Sequence, residues 1–209
     1  RLVERVAPDD SATADALWPA ISEGLEAIQH PARLYDLLLR GPASPQAVHR
    51  LVALQAEMGL LSLEHCPAGF FQDLSRQEDL PAILPHLGTL REQLSPVERT
   101  ALDGHLLDAA RRWLARHGAA GAPFHALATS YRWSARAEGE LLGAALPALL
   151  RRSAQEAFDA LRGYVLRHPG ALEHVRADIP EVRALLAYLS EPSGRRDGET
   201  LTIGTVRWR

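Results

Sequence analysis

Lysine and asparagine are both missing from this chain of 209 residues, and cysteine and methionine occur once each. The absence of lysine removes Schiff-base chemistry, a pyridoxal phosphate anchor and a phosphate-loop lysine. The absence of asparagine removes any N-glycosylation sequon. Both amino acids use A-rich codons, so their joint absence, with Ala, Leu, Arg and Gly dominant, points to a GC-rich bacterial genome. It also lowers what any arginine can say, since an Arg here need not have been selected for its bidentate fork. A single cysteine, Cys66, allows no intramolecular disulfide and no Cys-rich metal site, which suits a reducing cytoplasm. Long apolar runs are lacking too, and Asp9, Asp10 and Asp15 lie where a signal peptide would need an apolar stretch. The expectation is a soluble cytoplasmic protein with no membrane partner. The formal charge of -3 and pI near 6.3, with 23 basic residues set among 26 acidic ones, disfavour nucleic acid as a partner.

What is present is a series of helix signals. Ser75 precedes Glu78, Ser95 precedes Glu98, Ser153 precedes Glu156 and Asp178 precedes Glu181, each pair with the spacing of a capping box. Ser44 and Pro45 open a further helix that the spacing extends to about Glu64, with Val48, Leu51, Val52, Leu54, Met58 and Leu61 as its apolar stripe. Gly41, Gly118 and the pair Pro169–Gly170 read as helix stops. The pattern predicts about seven to nine helices with short connections, an all-α bundle forming a single domain over 1–190. Residues 191–209 read as a polar linker and a tail, in which Thr200 to Trp208 is either a strand, paired with Leu2–Val6 or with another subunit, or disordered.

The chemistry-bearing residues form no local motif. No Glu-x-x-His or His-Glu-x-x-His occurs among the nine histidines. His105 and Asp108, one turn apart, read as a metal half-site or, more ordinarily, as a solvated helix face. Cys66, between His65 and Pro67, has no glycine-rich elbow and reads as a half-buried structural thiol.

One region has a more particular order. Leu34-Tyr35-Asp36-Leu37-Leu38-Leu39-Arg40-Gly41 is followed by a Ser-started helix ending Leu63-Glu64. Phe70-Phe71-Gln72-Asp73-Leu74 and a helix containing Asp79-Leu80 come next. This order resembles the N-terminal half of heme oxygenases, and Ala126 to Leu142 can be laid over that family's distal helix without a gap. The similarity spans roughly residues 15 to 165 and is built mostly from generic helix pattern. The resemblance implies a heme-oxygenase-like bundle that binds heme, a bilin or another flat apolar acid.

On the proximal side, the positions matching the family's iron-ligating histidine are Leu25 or Glu26. His30 lies one turn further along and is the candidate metal ligand. On the distal side the matching positions are Ser134, Ala135, Glu138 and Gly139, with one glycine left of the family's cluster and its aspartate gone. Oxygen activation is therefore expected to be altered or lost, and no catalytic residue is assigned. Arg162 matches the region that holds a ligand carboxylate.

Two other readings compete. A non-enzymatic helical interaction module, such as a regulator or an assembly chaperone, would use a protein partner and no cofactor. Trp113 and Pro123-Phe124-His125-Ala126-Leu127-Ala128 faintly resemble redox-enzyme maturation chaperones, although the Glu-Pro-x-Asp-His motif of that family is missing. A winged helix around Pro31 to Ser62 ranks last, having one preceding helix where two are needed. A homodimer is compatible with each.

Overall fold

The computed structural model describes residues 30–40, 45–118, 121–175, 201–203 and 206–208, with single helical positions at 180, 183 and 186. Among these the chain is an all-α multi-helix bundle with one small hairpin. Its helices are α1 (Ala32–Arg40), α2 (Pro45–Glu57), α3 (Phe70–Arg76), α4 (Leu80–Gln93), α5 (Pro96–His117), α6 (Gly121–Ser130), α7 (Ala135–Arg152) and α8 (Ala154–Arg167). Short 3-10 turns at Leu63–His65 and Leu172–His174 join some of them. No helix among the described residues is long and apolar enough to cross a membrane.

The chain divides into two compact units, with the boundary inside α5 at Ala109 and Ala110. In the first unit, α2 packs on α4, and α1 packs on α3 and α4. Its buried side chains include Leu34, Tyr35 and Leu38 of α1, Val52 of α2, Phe70 and Leu74 of α3, and Leu84, Leu87 and Leu90 of α4. The α4 set is the helical stripe that leucines at i, i+3 and i+6 produce. The Tyr35 hydroxyl donates to the Ser62 carbonyl at 2.7 Å, and burial, helped by the nearby Cys66 and Glu98, pushes its pKa up.

In the second unit, α7 and α8 pack on each other, α6 packs on both, and the turn Leu172–His174 lies on α7. The buried set includes Phe124, Leu127, Tyr131 and Trp133, then Leu141, Leu142, Ala145 and Leu149 along one face of α7, and Leu161 and Tyr164 from α8. The tail forms a strand pair with itself: β1 (Leu201–Ile203) and β2 (Val206–Trp208) make an antiparallel hairpin, and β2 runs beside α8, while Leu2–Val6 lie outside the described residues. A two-stranded hairpin is marginal alone, and the helix supplies the surface it needs.

The helix boundaries correct several expectations. The Ser95–Glu98 box forms: Glu98 N–H donates to Ser95 Oγ at 3.4 Å and Ser95 N–H to Glu98 Oε2 at 3.2 Å. Ser153 likewise accepts from Glu156 N–H at 3.4 Å. Ser75 starts no helix. It is buried at the end of α3, its hydroxyl bonded to the Gln72 carbonyl at 2.7 Å, and Asp79 caps α4 instead by accepting from Ala82 N–H.

The helix opened at Pro45 stops at Glu57, not Glu64. Gly59 takes φ 69°, and Leu60 N–H returns to the Gln55 carbonyl at 2.9 Å, a Schellman stop that leaves Met58 45% exposed and outside the apolar stripe. Where a wing would follow this helix there is a 3-10 turn and then α3, so the winged-helix geometry is not formed. Asp178–Glu181, Gly41 and Glu26 lie outside the described residues.

Candidate functional site

The stretch Ala126 to Leu142, expected as one helix, is two. Helix α6 ends at Ser130, and α7 begins at Ala135 under the cap of Ser134, whose Oγ accepts from Ala137 N–H at 3.2 Å. Between them Tyr131 and Trp133 fold inward with ring centroids 4.8 Å apart, and Trp133 Nε1–H donates to the Leu127 carbonyl at 3.0 Å. The break therefore rests on two buried aromatic rings and one hydrogen bond back into α6.

This start sets the phase of α7. Glu138 falls on the same face as Leu141, Leu142 and Ala145, and its side chain is only 2% exposed. A buried carboxylate needs partners, because an unpaired one would shed its charge or unfold the site. Two come from the end of α8. Arg167 Nε donates to Oε1 at 3.0 Å and Nη2 donates to the same oxygen at 2.5 Å. His168 Nε2 lies 2.8 Å from Oε2, and since a carboxylate only accepts, that nitrogen carries the proton and donates.

The strap that follows α8 closes over this pair. Pro169 and Gly170, the latter at φ 80°, reverse the chain so that the turn Leu172–His174 lies against α7. The contact falls on Gly139, where a Cβ would meet the His174 carbonyl carbon, carbonyl oxygen and Cβ at 2.9 Å each. Tyr164 adds a second tie. Its hydroxyl lies 2.8 Å from the Ala171 carbonyl and 2.9 Å from the Ala135 carbonyl, with one proton to share between strap and helix. Burial first, then the charges of Glu138 and Glu173, push its pKa up to about 12.

Of the expected ligand-site residues, the fold brings Glu138 and Gly139 together but engages both in packing the strap. Ser134 is an exposed helix cap, and Arg162 is exposed on α8. His30 is exposed in the bend before α1, in the first unit, where its carbonyl accepts from Arg33 N–H at 2.8 Å. Arg167, His168 and Tyr164 were not singled out by the sequence. The signal for the first two was the Arg-His pair just before the Pro169–Gly170 stop, where basic residues favour a helix C-terminus.

An imidazole held by a carboxylate is an arrangement suited to proton transfer or to orienting a metal ligand. No group of three His, Cys, Asp or Glu side chains among the described residues is placed to hold a metal ion. His105, the other candidate half-site, stacks on Phe71 with centroids 4.5 Å apart. Cys66 is half-buried, and burial pushes its thiol up to about 12. No family model, curated protein or solved structure matches the chain.

Proposed function

We propose that the chain is a non-enzymatic helical interaction module, in which the Glu138 centre is a structural clasp. The observation that carries this reading is that both Glu138 oxygens are engaged by Arg167 and His168 while the face of Gly139 is taken by the His174 backbone. The groups best placed for chemistry hold α7, α8 and the strap together, which leaves binding to the outer faces. On α8 the outer stripe is Gln155, Asp159, Arg162 and Leu166, at the i, i+4, i+7, i+11 spacing of one helix face, with Leu166 73% exposed. Arginine is among the residues enriched at interface hot spots, and Leu166 adds exposed apolar surface one turn away.

The test is affinity capture with the tagged chain from a GC-rich bacterial lysate, followed by binding of the identified protein in purified form. Leu166→Glu and Arg162→Ala should each weaken that binding by about tenfold or more, as loss of an anchor does. Binding that is indifferent to both variants removes this face from the reading, and the absence of any purified binder removes the reading itself.

A second reading rests on His30, whose imidazole is exposed before α1. In a heme-oxygenase-like binder of heme or another flat apolar acid, it would be the iron ligand. A shifted Soret band on adding hemin, lost in His30→Ala, supports it. A spectrum identical to free hemin eliminates the heme version.

A further inference from the structure

The strap holds its own shape without help from α7. Its N–H donors reach carbonyls of the same segment: Ala171 to His168 at 3.2 Å, His174 to Ala171 at 3.1 Å and Val175 to Leu172 at 3.0 Å. No side chain from His168 to His174 is fully buried, and Val175, at 5% exposure, closes the segment. What fastens the strap to the helices is the seat on Gly139 and two side-chain ties, one through His168 and one through the Tyr164 hydroxyl.

Both ties are duplicated inside the helix pair. Glu138 is bonded by His168 at Oε2, but the Arg167 guanidinium, which belongs to α8, reaches Oε1 at 3.0 Å and Oε2 at 3.3 Å through Nε alone. The Tyr164 hydroxyl divides one proton between the strap carbonyl of Ala171 and the α7 carbonyl of Ala135. If the strap lifts, Glu138 keeps a cation on both oxygens and Tyr164 keeps an acceptor. The freed Ala171 carbonyl and the His168 imidazole belong to side chains and backbone that already reach the surface, so water takes them up. An opening that orphans no buried polar group avoids the largest penalty of local unfolding.

We propose that the segment from His168 to His174 is a latch that opens as a unit while α7 and α8 stay folded and joined through Glu138 and Arg167. Opening bares the backbone face of α7 at Gly139 and removes one donor from Glu138 Oε2; closing restores both without rearranging the helices. The latch rests on the clasp reading of Glu138 and on no partner. A failed capture experiment therefore leaves it standing, and a failed latch leaves the outer face of α8 standing.

Native-state hydrogen exchange of the full chain across low urea concentrations tests it. The amides of Ala171, His174 and Val175 should exchange faster than those of Leu141 and Leu142 in α7 and with a much shallower urea dependence, since the slope follows the surface exposed on opening. Two variants separate the latch from the helices. His168→Ala weakens the closed state, and should speed exchange in the strap by about five- to tenfold, the effect of one lost hydrogen bond. Leu149→Val trims the core of α7 about 15 Å along the helix from Gly139. It weakens the closed and open states alike, so it should speed exchange at Leu141 and Leu142 and leave the strap rates unchanged.

Strap amides that share the rate and the urea slope of Leu141 and Leu142 overturn the proposal, because strap and helices would then unfold together. Strap exchange that speeds in Leu149→Val as much as α7 does has the same meaning. Strap rates indifferent to His168→Ala overturn it from the other side, since the turn would be fraying on its own with no latch to release.

Discussion

Gly139 meets the backbone of His174 with no room for a side chain: a Cβ at 139 would lie 2.9 Å from the carbonyl carbon, the carbonyl oxygen and the Cβ of His174. Backbone atoms cannot rotate away as a side-chain tip can, so the turn itself would have to move. That turn is also tied by Tyr164, and the chain entering it carries the two partners of Glu138. One small residue on α7 thus sets how closely the strap can seat.

Gly139→Ala should destabilise the protein by about 1–3 kcal/mol, the range for overpacking a tight contact. Gly104→Ala is the matched control. It lies exposed within α5 with open space where its Cβ would go, and should stabilise by about 0.5–1 kcal/mol through helix propensity. Thermal and urea unfolding check both. Hydrogen exchange should speed at Leu172–Val175 in the first variant alone, and equal exchange in the two would show that the contact does not hold the strap.

Glu138→Gln should cost about 1–3 kcal/mol, because the amide keeps one acceptor but leaves the Arg167 guanidinium facing a neutral group. With Arg167 36% exposed, water recovers part of that loss. Adding Arg167→Met should therefore cost less than the sum of the two single changes. A double-mutant cycle by urea denaturation measures this, and strict additivity would mean that the pair is uncoupled.

Two groups give the stability curve opposite slopes at its ends. Hydrogen bonds from Ser95, from the Leu63 N–H and from Ser62 hold the Glu98 carboxyl below its ordinary value against a smaller opposing effect of burial. Its contribution is present above the unfolded-state value near 4.3 and is lost as pH falls through the depressed folded value. The stability difference between the native chain and Glu98→Gln should shrink across that acid window. Tyr164 acts in the other direction: with a folded pKa pushed up to about 12, its contribution is complete below about 10 and declines as pH rises toward 12. Tyr164→Phe should flatten that alkaline decline, and tyrosinate absorbance should show one fewer late-titrating ring.

Cys66, with its thiol pushed up to about 12, should react with iodoacetamide at pH 8 at least about a hundredfold more slowly than a free thiol, since only the thiolate attacks. Unfolding in urea should restore the ordinary rate. Fast alkylation of the native chain would place the thiol in a different environment.

The legible and hidden parts of this chain divide along a physical line. Signals that act within one turn were read correctly: Ser95 and Ser153 as caps, Gly118 and Gly170 as stops at φ 77° and 80°, the last carried by Pro169. Ser75 failed because its three-residue spacing to Glu78 is shared by chance, while burial of Phe70 and Leu74 had already placed a helix there. The stop at Gly59 competed with apolar residues that continue past it, and the left-handed glycine prevailed. At the centre, Glu138 and Gly139 were chosen from a resemblance, but their partners lie about 30 positions away and no local rule connects them.

The sequence by itself determined the all-α class, the Ser95 and Ser153 caps, the thiol left without an intramolecular disulfide partner and the excluded lysine chemistries, because each follows from composition or from neighbours within a turn. Only the tertiary structure decided that Ser130 to Ala135 is a break, that Glu138 is paired twice and that Gly139 is the seat of a strap. Those features depend on which distant segments are brought within a few ångströms, and burial, close packing and charge pairing act only once they meet.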